Sequence, residues 1–177
     1  VLLPKILLKN CLFTFIGGIM VELFSIKFLE LLFASNSENK VGWYENLDGL
    51  GNFGEERTID SEIGFGRIVR SADFDGDGFV ELGYIDRPHL AKTLRLWRFK
   101  DGKLIEIATK TGLTNHKIGW DFIAGGLRNC ADTPEMITAD ASWSRIIATA
   151  YDGTSLSARD IGPYAGPQSL TKALSCP

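Results

Sequence analysis

The sequence predicts an all-β fold made of repeated units of antiparallel strands. Three observations support this prediction: glycine is abundant (19 of 177 residues), short apolar runs alternate with turn signals, and Asp-Gly pairs recur at a regular spacing. Frequent tight turns between short apolar runs are typical of all-β chains rather than of helical bundles. A chain of this length can bury one hydrophobic core of ordinary size.

Composition and charge exclude several classes of protein. With 45% hydrophobic and 23% charged residues the chain is not disordered. A net charge of −3 offers no basic excess, so we expect no nucleic-acid partner. The three cysteines, Cys11, Cys130 and Cys176, include no Cys-x-x-Cys pair, which argues against a zinc finger. We favour three unpaired thiols, with a Cys130–Cys176 disulfide in an oxidising compartment as the alternative.

Short strands are predicted along residues 31–162. The apolar runs with their turn signals are Leu31–Ala34, Val41–Glu45, Leu94–Phe99 before Asp101-Gly102, Leu104–Ile107, and Ser144–Tyr151 before Asp152-Gly153. Asp-Gly between two such runs is a strong hairpin signal. On this interpretation Arg95 and Arg98 reach from their strand toward an exposed face. The tryptophans Trp43, Trp97, Trp120 and Trp143 lie in or beside apolar strands, so we expect core packing rather than sugar stacking.

Landmarks repeat along the chain with a period of 51–55 residues. They are Asp48-Gly49, Asp101-Gly102 and Asp152-Gly153; Ile63-Gly64-Phe65 and Ile118-Gly119-Trp120; and Glu81-Leu82 and Glu135-Met136. A period near this value, with several short strands per unit, is typical of β-propeller-like blades. Residues 31–177 hold about three such repeats, fewer than the roughly four to eight of a closed propeller. We therefore predict an incomplete ring, which further blades or a homo-oligomer would complete.

Residues 1–30 form an apolar segment that we predict to be helical. Lys5 and Lys9 precede an uncharged run over residues 11–21, which is shorter than the roughly 20 residues that a membrane-spanning helix needs. The pattern fits a secretory signal, a packed or membrane-associated helix, or an anomalous start. Membrane contact is expected only through this segment, if it is retained. The domain prediction is then 1–30 for this segment, 31–162 for the β-repeats and 163–177 for a C-terminal tail.

An acidic loop within the repeats predicts a calcium site. Its ligands would be the carboxylates of Asp73, Asp75, Asp77 and Glu81 and the backbone carbonyl of Phe79, at alternate positions of one tight turn. Calcium prefers oxygen ligands of this kind, about six to eight of them. Gly76 and Gly78 permit the turn. An acidic turn without metal, or another cation, is the alternative.

The sequence argues against an EF-hand and against a second calcium site in the next repeat. An EF-hand would require a glutamate at the twelfth loop position, where the chain has Tyr84, and would require helical flanks. The corresponding loop of the next repeat, Gly125–Met136, contains Arg128 and only two acids, Asp132 and Glu135. We expect that second loop to hold no calcium.

The acidic loop and its surroundings resemble the FG-GAP or VCBS repeat of integrin α-chain propellers and exported bacterial proteins. The resemblance rests on Asp73–Leu82 after Ser71-Ala72 and on Val41–Gly54, which is similar to the outer hairpin of that repeat. Tyr84–Leu90 and Gly112–Phe122 further resemble VCBS-repeat proteins of alphaproteobacteria. The resemblance covers roughly residues 31–162. It implies a β-propeller with calcium bound by Asp73, Asp75, Asp77, Phe79 and Glu81, where Glu81 replaces the usual aspartate.

The functional prediction is a calcium-binding module that binds an unknown protein or carbohydrate ligand. The resemblance implies an extracellular or periplasmic location in a bacterium, and calcium would be structural rather than catalytic. We expect no catalytic residues, because the sequence offers no evident nucleophile–base pair. One alternative is a propeller-based hydrolase or lyase, for which Asp86 with His89, or His116 with Asp121, would be the candidate pairs. The other is a truncated fragment of a larger propeller with no independent activity.

Overall fold

The computed structural model describes residues 13–16, 19–23, 31–35, 40–48, 52–61, 69–100, 103–130 and 132–176. Within these ranges the chain forms fourteen strands and one short helix, so the all-β prediction is confirmed. The strands are β1 Phe13–Ile16, β2 Ile19–Leu23, β3 Leu31–Ser35, β4 Lys40–Asn46, β5 Phe53–Asp60, β6 Val69–Ala72, β7 Val80–Asp86, β8 Thr93–Lys100, β9 Lys103–Thr111, β10 Leu113–Thr114, β11 Gly126–Arg128, β12 Glu135–Asp140, β13 Arg145–Tyr151 and β14 Leu156–Pro163. The helix is α1 Pro167–Ala173.

The strands form three antiparallel sheets, each built from consecutive parts of the chain. Sheet 1 has the order β1-β2-β3-β4-β5, and sheet 2 the order β6-β7-β8-β9. In sheet 3, β12, β13 and β14 follow one another, while β10 and β11 both pair with the free edge of β12. None of the three sheets closes into a barrel. Of the predicted incomplete ring, the described residues show three open sheets.

The helix predicted for the N-terminal segment is wrong for the residues that the structure describes. Residues 13–16 and 19–23 are strands β1 and β2, which pair as a hairpin with Ile16 opposite Ile19. The two residues between them in the sequence are Gly17 and Gly18, and glycine is among the poorest helix formers. Pairing with β3 in sheet 1 also satisfies the backbone of β2. Residues 1–12 and 24–30 lie outside the described residues.

The predicted hairpins agree with the strand pairings. Strands β8 and β9 meet with Lys100 opposite Lys103, and β13 and β14 with Tyr151 opposite Leu156. At the second turn the Asp152 carboxylate accepts hydrogen bonds from the backbone amides of Thr154 (2.9 Å) and Ser155 (2.7 Å). Gly49, 63–65 and 101–102 are landmarks of the predicted repeat that lie outside the described residues.

Apolar clusters join each sheet to the next. The first cluster packs Trp43 of sheet 1 against Leu82 and Tyr84 of sheet 2. The second joins sheets 2 and 3 and consists of Phe74, Ile85, Leu94, Leu96, Leu113, Met136 and Tyr151. Strands β7 and β12 approach closely here, since a Cβ atom at Gly83 would lie 2.7 Å from the sulfur of Met136. A side chain at position 83 would therefore require the Met136 side chain to move.

Helix α1 covers part of sheet 3. Leu170 is its buried residue and packs with Ile137, Ala139, Ile146 and Ala148 of that sheet. The segment 163–177, predicted as a C-terminal tail, thus contains a helix. Gly166-Pro167 is a helix-start signal, because proline is favoured at the first helical position. The tail therefore contributes an apolar layer of its own.

A disulfide links Cys130 to Cys176 and ties the end of the chain beyond α1 to the loop after β11. The preferred prediction of three unpaired cysteines is wrong for these two residues. The pairing depends on α1 folding back onto sheet 3, which spacing along the sequence does not reveal. Cys11 lies outside the described residues.

Reduction of this disulfide is expected to destabilise the chain by about 2–4 kcal/mol, because the bond closes a loop of 46 residues. The measurement is urea unfolding of the oxidised chain and of Cys130→Ser/Cys176→Ser, followed by far-ultraviolet circular dichroism. An unchanged unfolding midpoint would show that α1 holds its position without the covalent link.

Candidate metal centre

The acidic loop connects β6 to β7 at one end of sheet 2. The two strands pair up to Ala72 opposite Glu81, so the loop begins and ends at neighbouring positions of the sheet. Both flanks are strands, as predicted, and not the helices of an EF-hand. The loop is therefore a tight turn whose side chains are held close together by the hairpin beneath it.

Backbone amides within the loop orient three of the carboxylates. Asp73 accepts hydrogen bonds from the amides of Gly76 (2.7 Å) and Gly78 (3.0 Å), Asp75 from Asp77 (3.3 Å), and Asp77 from Phe79 (2.9 Å). Gly76 and Gly78 have φ values of 77° and 87°, a conformation that favours glycine. The prediction that these two glycines permit the turn is thus confirmed.

Phe74 anchors the loop to the interior of the protein. Its side chain is 0% exposed and belongs to the cluster between sheets 2 and 3. Its backbone amide donates a hydrogen bond to the Glu81 carboxylate (2.9 Å), which is also fully buried. One residue thus fixes the loop against the core and orients its most buried carboxylate.

Three of the five predicted ligands converge. Asp73, Asp75 and Glu81 each present an oxygen within 4.8 Å of the others, an arrangement that can hold a metal ion. Asp77 lies outside this triad, and the role of the Phe79 carbonyl stays a prediction. Three carboxylates provide hard oxygen ligands, which suit calcium or magnesium better than soft transition metals.

Arg98 lies among the same carboxylates and was missed by the sequence reasoning. From β8 its guanidinium contacts Glu81 (Nε to Oε1, 2.7 Å), Asp75 (Nη2 to Oδ2, 2.6 Å) and Asp77 (Nη1 to Oδ2, 2.8 Å). The expectation that Arg98 reaches an exposed face is wrong, since its side chain is only 18% exposed. The missing information was the register, which places Glu81 directly opposite Arg98.

Burial and the Arg98 charge oppose each other in setting the pKa values of the carboxylates. Burial raises the pKa of Glu81 above its ordinary value, although the Phe74 amide and Arg98 favour the ionised form. At Asp75 burial also raises the pKa, but the hydrogen bond and charge of Arg98 outweigh it and leave that pKa below its ordinary value. Arg98 therefore provides one positive charge for several carboxylates.

The corresponding loop of sheet 3 has a different arrangement. Its buried carboxylate, Glu135, contacts Arg128 (2.8 Å) and Arg159 (2.8 Å), while Asp132 is exposed. Together these arginines lower the pKa of Glu135 in spite of its burial. Two guanidinium groups thus surround the one buried acid of this loop.

The candidate acid–base pairs of the enzyme alternative have other contacts. Asp86 forms ion pairs with Arg87 (2.8 Å) and Arg95 (3.0 Å). His116 Nδ1 lies 2.9 Å from His89 Nε2, and its Nε2 lies 3.0 Å from the Trp120 carbonyl. Since a carbonyl only accepts, the His116 Nε2 carries a proton, and a neutral His116 accepts the second hydrogen bond from His89. The two imidazoles contact each other, a pairing that the sequence did not predict.

Comparisons with protein-family models, with curated proteins and with solved structures give no match to this chain. In the described ranges we find no helix with the length and apolar character needed to cross a membrane. The resemblance to FG-GAP or VCBS repeats therefore stays a prediction from the motif.

Proposed function

We propose that the chain is a calcium-binding β-repeat module that binds a protein or carbohydrate ligand outside the cytoplasm. Calcium stabilises the fold in this proposal and takes no part in catalysis. The observation that carries it is the convergence of Asp73, Asp75 and Glu81 on one turn, where Glu81 is buried and the two aspartates are half-buried. The proposed ion would complete its coordination with Asp77, the Phe79 carbonyl and water, as calcium commonly does.

The strand layout supports the proposal that the three sheets are propeller-like blades. Each sheet contains three consecutive antiparallel strands that recur at a regular spacing, namely β3-β4-β5 in a five-strand meander, β7-β8-β9 in a four-strand meander, and the meander β12-β13-β14. Corresponding strands of successive meanders start 49–55 residues apart, at 31, 80 and 135, at 40, 93 and 145, and at 53, 103 and 156. Successive sheets also pack through apolar clusters, as neighbouring blades do.

The extracytoplasmic location is proposed from two features. The Cys130–Cys176 disulfide is favoured in an oxidising compartment. Free calcium is also abundant enough there to occupy weak sites, since extracellular modules bind it with dissociation constants of about 10⁻⁴–10⁻³ M. Both features are consistent with an exported module.

Thermal unfolding of the whole chain in calcium and in EDTA tests the proposal. At a calcium concentration about 100 times the dissociation constant, native-state binding adds about 2.7 kcal/mol of stability, or about 5–10 °C in melting temperature for a chain of this size. Asp75→Asn removes a ligand charge and is expected to abolish the calcium-dependent shift.

The matched control is Asp132→Asn, the same substitution in the exposed part of the sheet 3 loop. This variant is expected to keep the full calcium-dependent shift. A wild-type melting temperature that is equal in calcium and EDTA would overturn the proposal, and so would an equal shift in wild type and Asp75→Asn.

A further inference from the structure

A lysine ammonium in the connection between β10 and β11 lies against three aromatic rings. The Nζ atom of Lys117 is 4.8 Å from the ring centre of Trp143, 5.3 Å from that of Tyr164 and 5.8 Å from that of Trp120. All three distances are within the roughly 6 Å at which a ring attracts a cation. We call Trp120, Trp143 and Tyr164 the aromatic cage.

The rings of the aromatic cage are set at steep angles to one another. Trp120 and Trp143 have centroids 5.2 Å apart and planes inclined by 70°, and Trp143 and Tyr164 have centroids 5.1 Å apart and planes inclined by 61°. Phe122 stacks on Trp120 at 4.6 Å, and the His116 ring meets Trp120 edge-on. Rings that are already held in place lose little freedom when a ligand binds.

Trp143 has a strained backbone conformation that the structure maintains. Its φ is 60°, which is unusual for a bulky residue. The preceding Asp140 holds the turn, because its carboxylate accepts hydrogen bonds from the amides of Ser144 (2.6 Å) and Arg145 (2.7 Å), and its carbonyl accepts one from the Trp143 amide (3.0 Å). Strain of this kind is frequent at ligand sites, where it fixes a side chain in position.

In the part of the chain that the structure describes, the contacts that the Lys117 ammonium makes are with aromatic rings. Among the residues that the structure describes, Lys117 forms no ion pair with a carboxylate. The Tyr164 hydroxyl is buried and has no hydrogen-bond partner within the same ranges. A site of aromatic faces without an acid favours a weakly hydrated cation, because little hydration is lost when such a cation enters.

We propose that the aromatic cage is a binding site for a trimethylammonium group, and that Lys117 occupies it when no ligand is bound. A trimethylammonium carries the same charge as the lysine head, spreads it over methyl groups and is the kind of cation that aromatic cages take. The lysine ammonium is compact, strongly hydrated and carried on a flexible stem, so it can return to water when the ligand enters. This inference does not depend on the acidic loop and holds whether or not calcium binds there.

Lys117 competes with the ligand for the cage. A site whose open form is only partly populated binds with an affinity reduced by that fraction. Replacing Lys117 by alanine empties the cage permanently and is expected to tighten binding. Tighter binding by Lys117→Ala is diagnostic, because removal of this positive charge would have little effect on a ligand that bound elsewhere.

The test is titration of the whole chain with choline chloride, followed by tryptophan fluorescence, with potassium chloride as the ionic-strength control. We expect wild type to bind choline with a dissociation constant of about 1 mM. Lys117→Ala is expected to bind at least about fivefold more tightly. Tyr164→Leu, which removes a ring, is expected to lose binding, while Tyr164→Phe, which keeps the ring, retains it.

A second ring variant and a neutral probe protect the result against misfolding and non-specific binding. Trp143→Gly removes the second ring at a φ that glycine adopts without cost, and its cooperative melting checks that the chain is folded. The uncharged carbon analogue of choline, with a tert-butyl group in place of trimethylammonium, is expected not to bind. Equal binding of the two compounds, or no binding of choline to Lys117→Ala, would overturn the proposal.

A second experiment distinguishes a lipid headgroup from a small soluble compound as the source of the trimethylammonium group. Lys117→Ala is sedimented with phosphatidylcholine vesicles and, as a control, with phosphatidylglycerol vesicles. Choline binding together with sedimentation on phosphatidylcholine alone supports a lipid headgroup as the ligand. Choline binding without sedimentation supports a small soluble trimethylammonium compound.

Discussion

Replacing Arg98 by methionine is expected to destabilise the chain by about 3–5 kcal/mol in EDTA and to make its stability strongly dependent on calcium. The substitution keeps an apolar stem but removes the positive charge that contacts Asp75, Asp77 and Glu81. A buried carboxylate left without its partner is costly, and Glu81 is 0% exposed. A divalent ion in the turn would compensate those charges. Urea unfolding in calcium and in EDTA measures both effects.

Arg95→Met is the matched control for this prediction. Arg95 lies on the same strand and pairs with another buried acid, Asp86, but that acid keeps Arg87 as a second partner. We expect a smaller loss of stability, equal in calcium and EDTA, because the acidic loop is untouched. If calcium rescued both variants equally, the rescue would not come from the loop. If it rescued neither, Arg98 would be the permanent cation of this site.

The second large effect is expected at Phe74, the buried anchor of the same loop. Truncation to alanine leaves a cavity between sheets 2 and 3 and is expected to cost about 3–5 kcal/mol. Because the Phe74 amide also orients Glu81, calcium-dependent stabilisation should weaken in the same variant. Denaturant unfolding with and without calcium measures both the loss of stability and the calcium-dependent stabilisation.

Phe79→Ala is the matched control for Phe74→Ala, because it removes an exposed ring from the same loop. Phe79 lies in the same loop but is 37% exposed, and its ring contacts the Lys100 ammonium at 4.6 Å. We expect a loss below about 1 kcal/mol, as for most surface substitutions. Equal losses in Phe74→Ala and Phe79→Ala would contradict the assignment of Phe74 as the anchor.

The features that the sequence predicted well are local. Apolar runs between turn residues located strands such as β4, β8 and β13, because strand formation and Asp-Gly turns are encoded within a few residues. The acidic turn was also predictable, since three aspartates, two glycines and a glutamate at short spacing leave few alternatives. The structure brings Asp73, Asp75 and Glu81 together, although Asp77 of the same turn lies outside this triad.

The features that the sequence did not predict depend on contacts between distant parts of the chain. Arg98 is 17 residues from Glu81 and meets it only through strand register. The disulfide and the covering of sheet 3 depend on helix α1 folding back. The N-terminal run was ambiguous in itself, because a short apolar stretch suits a helix or a strand until a neighbouring strand is known.

Calcium binding measured directly by isothermal titration calorimetry tests the central claim of this account. We predict one ion per chain, a dissociation constant of about 10⁻⁴–10⁻³ M for wild type, tighter binding by Arg98→Met, and no binding by Asp75→Asn. The absence of binding heat in wild type at about ten times that concentration would contradict the claim, whatever Arg98→Met does. The turn would then be an acidic cluster neutralised by its own arginine.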